Sequence, residues 1–215
     1  LIMTLDLYLA FVIYALTTTI LPGPNNVLLL SEASRHGFKK CLLLLLGIWT
    51  GLITLMILAG TFCTILSIWV PKIVPVFKYI GAAYILYLAW RTFTRKGASS
   101  EDEQTKEKPL PFWNGFLLQF LNVKVIMLGL AAFPGYFLNG ASADNNNFYI
   151  GASLGANILL TLLFAFTMTI CCGTGNIIWA SLGSILRPIY NKYYRIVNTI
   201  MAFLLIYCAV KILLV

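Results

Sequence analysis

The residues of this chain best suited to binding chemistry form one short segment near its start. Its members are two prolines, a glycine and two amides: Pro22, Gly23, Pro24, Asn25 and Asn26. In an apolar helix Pro22 cannot donate a hydrogen bond to the carbonyl of Thr18, so the helix should kink or unwind there. Bare backbone groups are not tolerated in lipid, so such a break must face protein or a water-filled cavity.

The backbone groups freed by this break suit a zwitterion. Free carbonyls can accept hydrogen bonds from an ammonium group, and the N–H groups of the helix that begins near Asn25 can hold an anion. The segment therefore predicts a substrate cavity for an amino acid. A structural kink that contacts no ligand is the alternative.

A lysine in a later apolar stretch is the second candidate. Lys124 lies near the centre of that stretch, and an intramembrane lysine is costly unless it faces the protein interior or a cavity. It could pair with a substrate carboxylate, change protonation during transport, or donate to the carbonyls of the broken helix. A side chain that reaches up to the membrane interface is the alternative. Gln119 and Asn122 share a helix face but Asn122 and Lys124 do not, so the backbone must be distorted for both to contact one ligand.

Other polar residues of the apolar segments are weaker candidates. Asn157 could reach the cavity or form a hydrogen bond between helices. Glu32 is a candidate for proton coupling and His36 for sensing pH. We favour the interpretation that these two residues and Arg35 form a solvated cluster at the membrane interface. The pairs Gly47/Gly51 and Gly151/Gly155 are expected to allow close helix packing.

The composition places all of these residues in a membrane protein. The 215 residues are 60% hydrophobic and 10% charged, whereas a soluble domain is about 25% charged. This excludes a disordered chain, a coiled coil and a typical soluble enzyme. The five cysteines lie in apolar runs and are expected to be packing residues. No motif for a metal, a phosphate or a catalytic nucleophile occurs, so we expect no enzyme, no cofactor and no metal site.

Six apolar segments should position the candidate residues, since a spanning helix needs about 20 apolar residues. The segments are 5–34 (interrupted at 22–24), 38–66, 76–93, 112–138, 148–172 and 190–214. Residues 173–176 are expected to end the fifth segment, and residues 177–189 to form a short interfacial helix. Most of the 15 basic residues lie in the connections after segments one, three and five. Basic residues accumulate in the cytoplasmic loops of membrane proteins, so both termini are predicted outside and the polar linker (96–110) inside. The net charge of +8 therefore reflects topology and not a nucleic-acid partner.

The two halves of the chain resemble each other. Residues 86–91 are similar to residues 206–211, and the glycine pair of the second segment is similar to that of the fifth. Three helices in each half place the halves in opposite orientations, which is an inverted repeat of the kind found in secondary transporters. We predict an all-α integral membrane protein of six transmembrane helices, with helices 1 and 4 broken near the midplane. The units are a first repeat (1–95), a cytoplasmic linker (96–110) and a second repeat (111–215).

Several motifs together carry a resemblance to a known family. Pro22-Gly23-Pro24, the segment 34–37, the glycine pair Gly47/Gly51 and the Asn122-x-Lys124 pair resemble the lysine exporter (LysE/RhtB) family of amino-acid exporters. Residues 116–124 and 205–211 are most similar to its cysteine/O-acetylserine exporter branch. Many family members have proline where this chain has Val123, so the resemblance does not itself imply a second break as sharp as the first.

The resemblance implies a bacterial inner-membrane exporter of small amino acids or their derivatives, driven by an ion gradient that is usually a proton gradient. The expected partners are the amino-acid substrate, protons, the lipid bilayer and a possible second copy of the chain. The substrate-binding residues expected are those of the first break with Gln119, Asn122, Lys124 and Asn157, and the coupling candidates are Lys124 and Glu32. Export of threonine, homoserine or lysine, or passive permeation of amino acids, are the alternatives.

Overall fold

The computed structural model describes residues 5–61, 63–94, 108–132 and 154–214, and within these ranges every element is helical. The α-helices are α1 (Leu5–Ile20), α2 (Pro24–His36), α3 (Leu42–Thr61), α4 (Cys63–Thr94), α5 (Phe112–Leu121), α6 (Val123–Ala132), α7 (Leu154–Ile185) and α8 (Arg187–Leu214). A short 3-10 turn at Lys39–Cys41 precedes α3. The predicted all-α class is confirmed for this part of the chain.

The first predicted helix break is present between α1 and α2. Gly23 has an extended backbone (φ −148°, ψ 173°), and Pro24 opens the new helix at a position where its missing N–H costs nothing. At the other end of α2, Gly37 has φ 79° and its N–H donates to the carbonyl of Ala33 at 2.9 Å. A positive φ favours glycine, so this residue ends the helix.

The second predicted break is also present, although no proline causes it. Asn122 leaves the helical conformation (φ −90°, ψ 95°) between α5 and α6, and the two helices meet at an angle of 64°. The carbonyl of Asn122 accepts hydrogen bonds from the N–H groups of Val125 and Ile126 at 2.9 and 3.1 Å, which begins α6. The break therefore occurs with valine at position 123, and the backbone carbonyl of Asn122 accepts the first hydrogen bonds of α6.

Three of the described helical stretches are long and apolar enough to cross a membrane: Lys39–Gly60, Thr161–Ile185 and Arg187–Leu214. The bent pair of α5 and α6 makes a fourth span if it is counted as one, and α1 is a shorter apolar helix. The helix α4 begins at Cys63, well before the start predicted at residue 76. In length and apolar composition these helices are compatible with a membrane protein, and the number six stays a prediction.

The prediction that residues 173–176 break the fifth segment is wrong, because α7 runs through them to Ile185. The glycines there serve helix packing. A Cβ atom on Gly173 would lie 3.1 Å from the ring of Trp49 in α3, and one on Gly175 would collide with the side chain of Thr19 in α1. The predicted interfacial helix at 177–189 does not occur as such, since α7 and α8 share those residues.

The helices α4 and α8 pack against each other through equivalent faces. Residues 81–90 and 201–210 have the same order of buried, half-buried and exposed positions. Most of the buried side chains of both stretches belong to one core cluster, which includes Ala82, Ile85, Leu205 and Ala209. The sequence similarity between residues 86–91 and 206–211 therefore lies in matching packing surfaces.

Glycines also bring α3 close to α5. A Cβ atom on Gly47 would collide with the carbonyl of Phe112, and one on Gly51 would lie 2.7 Å from the carbonyl of Phe116. From the other side, a Cβ atom on Gly115 would lie 2.8 Å from the amide nitrogen of Ile48. The first glycine pair thus has the packing role that the sequence predicted.

Replacing Gly47 by valine should lower the stability of the folded protein, because the new side chain meets backbone that cannot move aside cheaply. Overpacking of this kind costs about 1–3 kcal/mol. Thermal unfolding in detergent, followed by the loss of monodisperse protein, measures the effect. Thr50→Val on the exposed face of the same helix is the control, and equal unfolding temperatures for the two variants would contradict the prediction.

Candidate functional site

The carbonyls freed by the first break are occupied by side chains. The Nζ atom of Lys124 donates to the carbonyl oxygens of Thr18 and Leu21 at 3.1 and 3.2 Å. The Nδ2 atom of Asn26 donates to the carbonyls of Thr19 and Leu21 at 2.9 and 3.1 Å. Pro22 has no N–H to donate to the carbonyl of Thr18. The ammonium of Lys124, on the second broken helix, donates to this carbonyl instead.

Three amides join the two breaks. Asn25 and Gln119 exchange hydrogen bonds through both ends of their amides, at 2.8 Å from Asn25 Nδ2 and 3.2 Å from Gln119 Nε2. Asn122 Nδ2 donates to Asn25 Oδ1 at 3.4 Å, and Gln119 Nε2 also donates to the carbonyl of Gly115 at 2.9 Å. These bonds hold α2 against α5 at the point where both helices change direction.

The distorted backbone at Asn122 lets this residue and Lys124 face the same break. The sequence indicated that a regular helix would separate them, and the bend between α5 and α6 removes that obstacle. The Oδ1 atom of Asn122 is buried, and no group of the described chain donates a hydrogen bond to it. Leaving a buried acceptor unsatisfied costs about 1–3 kcal/mol, so this oxygen is available to a ligand that carries a donor.

Lys124 lines two cavities. The narrow cavity, of about 40 Å³, is lined by Asn25, Asn26, Asn122 and, from α7, Cys172 and Asn176. That is room for no more than a few water molecules. The wide cavity, of about 540 Å³, is lined largely by apolar side chains and by Tyr207, Cys208 and Lys211 of α8. Thr18, Gly23, Pro24, Lys124 and Leu128 line both.

The structure brings together nearly all of the predicted substrate residues. Those that line a cavity are Pro22, Gly23, Pro24, Asn25, Asn26, Asn122 and Lys124. Gln119 lines neither cavity, is fully buried and positions Asn25. Asn157 lies in α7, but its side chain falls outside the residues that the structure describes.

Sequence reasoning missed the contributions of α7 and α8. Asn176 lies in the stretch predicted to end the fifth segment, and Lys211 is not among the predicted site residues. The available signal was spacing, because Cys172 and Asn176, like Tyr207 and Lys211, are four residues apart on one helix face. The ammonium of Lys211 lies 5.8 Å from the ring centre of Tyr207, where it is held at the wall of the wide cavity.

The charged cluster at the end of α2 is buried, so the predicted solvated cluster is wrong. Glu32, Arg35 and His36 are 1%, 8% and 5% exposed. Glu32 Oε2 accepts a hydrogen bond from the N–H of Leu110 at 3.1 Å and lies 3.9 Å from His36 Nε2. Arg35 donates to the hydroxyl of Tyr190 at 3.4 Å. These contacts tie α2 to the segment before α5 and to α8, and that packing excludes water.

Comparison with known proteins finds matches that cover nearly the whole chain. A family profile described as "LysE type translocator" matches residues 16–215. The cysteine/O-acetylserine efflux protein of Salmonella typhi is 40% identical over 210 residues, which cover 98% of this chain and 99% of that protein. The protein of the same name from Escherichia coli (strain K12) is 35% identical with the same coverage. No solved structure matches the chain.

Proposed function

Because the chain belongs to the LysE type translocator family, we propose that it is a secondary active transporter that exports small amino acids or their derivatives from the cytoplasm. Cysteine and O-acetylserine are the first substrates to test, since the relatives described above are named for their efflux. The observation that carries the proposal is the contact of Lys124 with the broken-helix carbonyls of Thr18 and Leu21. A cation, the backbone carbonyls that it contacts and several amides thus lie around one cavity.

The substrate lies between the two broken helices in this proposal. An amino-acid carboxylate pairs with Lys124, and the amide groups of Asn25 and Asn122 bind the polar end groups. The narrow cavity must widen to admit the substrate, which fits a carrier that changes conformation in each cycle. Polar groups at the meeting point of two broken helices are the arrangement by which secondary transporters hold substrate and release it to either side.

The proposed topology is six spans in two inverted repeats (1–95 and 111–215), with residues 96–110 in the cytoplasm and both termini outside the bacterial inner membrane. Reciprocal packing supports it. The helix α3 packs on α5, while α7 packs on α2, so each broken helix lies against a helix of the other half. The helices α4 and α8 meet through matching faces. Rocking of one half against the other then exposes the substrate to alternate sides.

Counterflow in proteoliposomes tests the function. Vesicles loaded with unlabelled cysteine or O-acetylserine should accumulate the same labelled amino acid transiently, because a carrier exchanges substrate across the membrane. A panel that includes threonine, homoserine and lysine ranks the alternatives by initial rate. Dissipating the proton gradient separates an exporter from a passive permease. Uphill export by a proton-coupled carrier stops, whereas the flux through a passive permease does not change. Absence of counterflow for every amino acid would overturn the proposal.

Coupling to protons through Glu32 is the finer part of the proposal. Glu32→Gln keeps an oxygen that can accept from the N–H of Leu110 but cannot bind and release a proton. Export driven by a pH gradient should therefore fall relative to counterflow measured in the same vesicles. Asp6→Asn, which neutralises an exposed acid in α1, is the control. An unchanged ratio for Glu32→Gln would leave Lys124 as the remaining coupling candidate.

A further inference from the structure

We infer that the carbonyl oxygens of Thr18 and Leu21 are the binding site for the substrate ammonium, and that Lys124 fills this site as a tethered cation when no substrate is bound. The inference rests on the proposed function, since it assigns one end of the amino acid to named atoms. Substrate binding then begins with the exchange of one ammonium for another.

The two carbonyls have the chemistry of an ammonium site. The lysine ammonium already there lies 3.1 and 3.2 Å from their oxygens, and the α-ammonium of an amino acid presents the same three donors. Pro22 has no N–H, so the backbone cannot compete for the carbonyl of Thr18 as it would in a regular helix. Gly23 leaves room for the cation, because a Cβ atom there would lie 3.2 Å from Lys124 Nζ.

The site cannot hold both cations. A carbonyl oxygen has two lone pairs, and that of Leu21 already accepts from Asn26 Nδ2 and from Lys124 Nζ. A substrate ammonium that bonds to both carbonyls must therefore displace the lysine. Asn26 keeps its place, since its second bond, to the carbonyl of Thr19, holds it there.

The displaced lysine then needs an anion, and the substrate supplies it. Among the described residues that line either cavity, none is acidic. A zwitterion fills the carbonyl site with its ammonium and pairs Lys124 with its carboxylate, so the charge of the site does not change. A simple amine leaves Lys124 without a counter-charge, and a simple carboxylate cannot take the carbonyls. The exchange thus selects for compounds that carry both groups.

Binding of labelled methylammonium, an ammonium without a carboxylate, tests the assignment on the purified full-length protein. Lys124→Met empties the site, so this variant should bind methylammonium at least about tenfold more tightly than the wild type, which is the worth of one charge-assisted hydrogen bond. Lys211→Met removes the same charge from the wall of the wide cavity and should not gain methylammonium binding. A gain of binding is a readout that a merely structural role of Lys124 would not produce.

Equal methylammonium binding by the wild type and Lys124→Met would overturn the inference, as would an equal gain in Lys211→Met, which would indicate a general charge effect. If the Lys124→Met protein is not monodisperse, the same binding measurement is made with Lys124→Gln. The outcome is separable from that of the proposed function. If the wild type shows cysteine counterflow but Lys124→Met gains no methylammonium binding, only the ammonium site is rejected. If Lys124→Met gains methylammonium binding but no amino acid shows counterflow, only the exporter function is rejected.

Discussion

Replacing Lys124 by methionine should lower the export of cysteine and O-acetylserine by about tenfold to a hundredfold, the range expected when a charge-assisted interaction with the substrate is lost. Methionine matches the apolar stem of the lysine side chain in length and removes the ammonium that donates to Thr18 and Leu21. The substrate carboxylate then loses the ammonium with which it pairs in the proposed function. Uptake of labelled substrate into inverted membrane vesicles measures the loss.

Two further lysine variants make this result specific. Lys192→Met removes an exposed lysine of α8, whose ammonium lies over the ring of Tyr193, and should transport like the wild type. Lys124→Arg keeps the charge but replaces a compact ammonium by a planar guanidinium, so we expect partial activity. Wild-type transport by a normally expressed Lys124→Met protein would remove this residue from the mechanism.

The double replacement Pro22→Ala/Pro24→Ala should abolish transport while leaving the protein folded. Each alanine restores a backbone N–H, and the one at position 22 can bond to the carbonyl of Thr18, as in a regular helix. That carbonyl is then lost to Lys124 and to a substrate ammonium. Neither proline lies inside a helix, since α1 ends at Ile20 and Pro24 is the first residue of α2, so the exchange removes no helical hydrogen bond and the temperature of thermal unfolding should change little.

Counterflow and thermal unfolding of the same preparation separate this outcome from misfolding. Loss of counterflow by the double variant with an undiminished unfolding temperature supports the role of the break. Pro188→Ala is the matched control because Pro188 is exposed in the first turn of α8, where no helical hydrogen bond depends on it. The role of the break would be contradicted if the double variant retained wild-type counterflow.

The candidate site was predictable to the extent that its residues act through their own covalent structure. Pro22 breaks the helix wherever it is placed, because it has no N–H to donate. Lys124 stands out because a lysine in an apolar segment is costly in any fold unless a cavity or partner receives it. Pairing of this lysine with the broken-helix carbonyls was one of three possibilities, and the structure contains that contact.

Two of the errors concern residues whose role depends on distant parts of the chain. Gly173 and Gly175 are typical of a helix end, but they are glycines because Trp49 and Thr19 pack against them. Glu32 resembles an interfacial charge until the N–H of Leu110 is found beside it. Nothing in the local sequence distinguishes these cases, because a glycine or a glutamate is compatible with either.

The sequence by itself determined the helical membrane class, the position of the first break and the candidacy of Lys124, since hydropathy and proline chemistry act locally. The tertiary structure alone decided that Asn122 bends the second helix without a proline and that Lys124 fills the carbonyls of the first break. It also decided that α7 and α8 complete the cavities. These features are set by which helices approach each other, and that depends on packing between residues far apart in the chain.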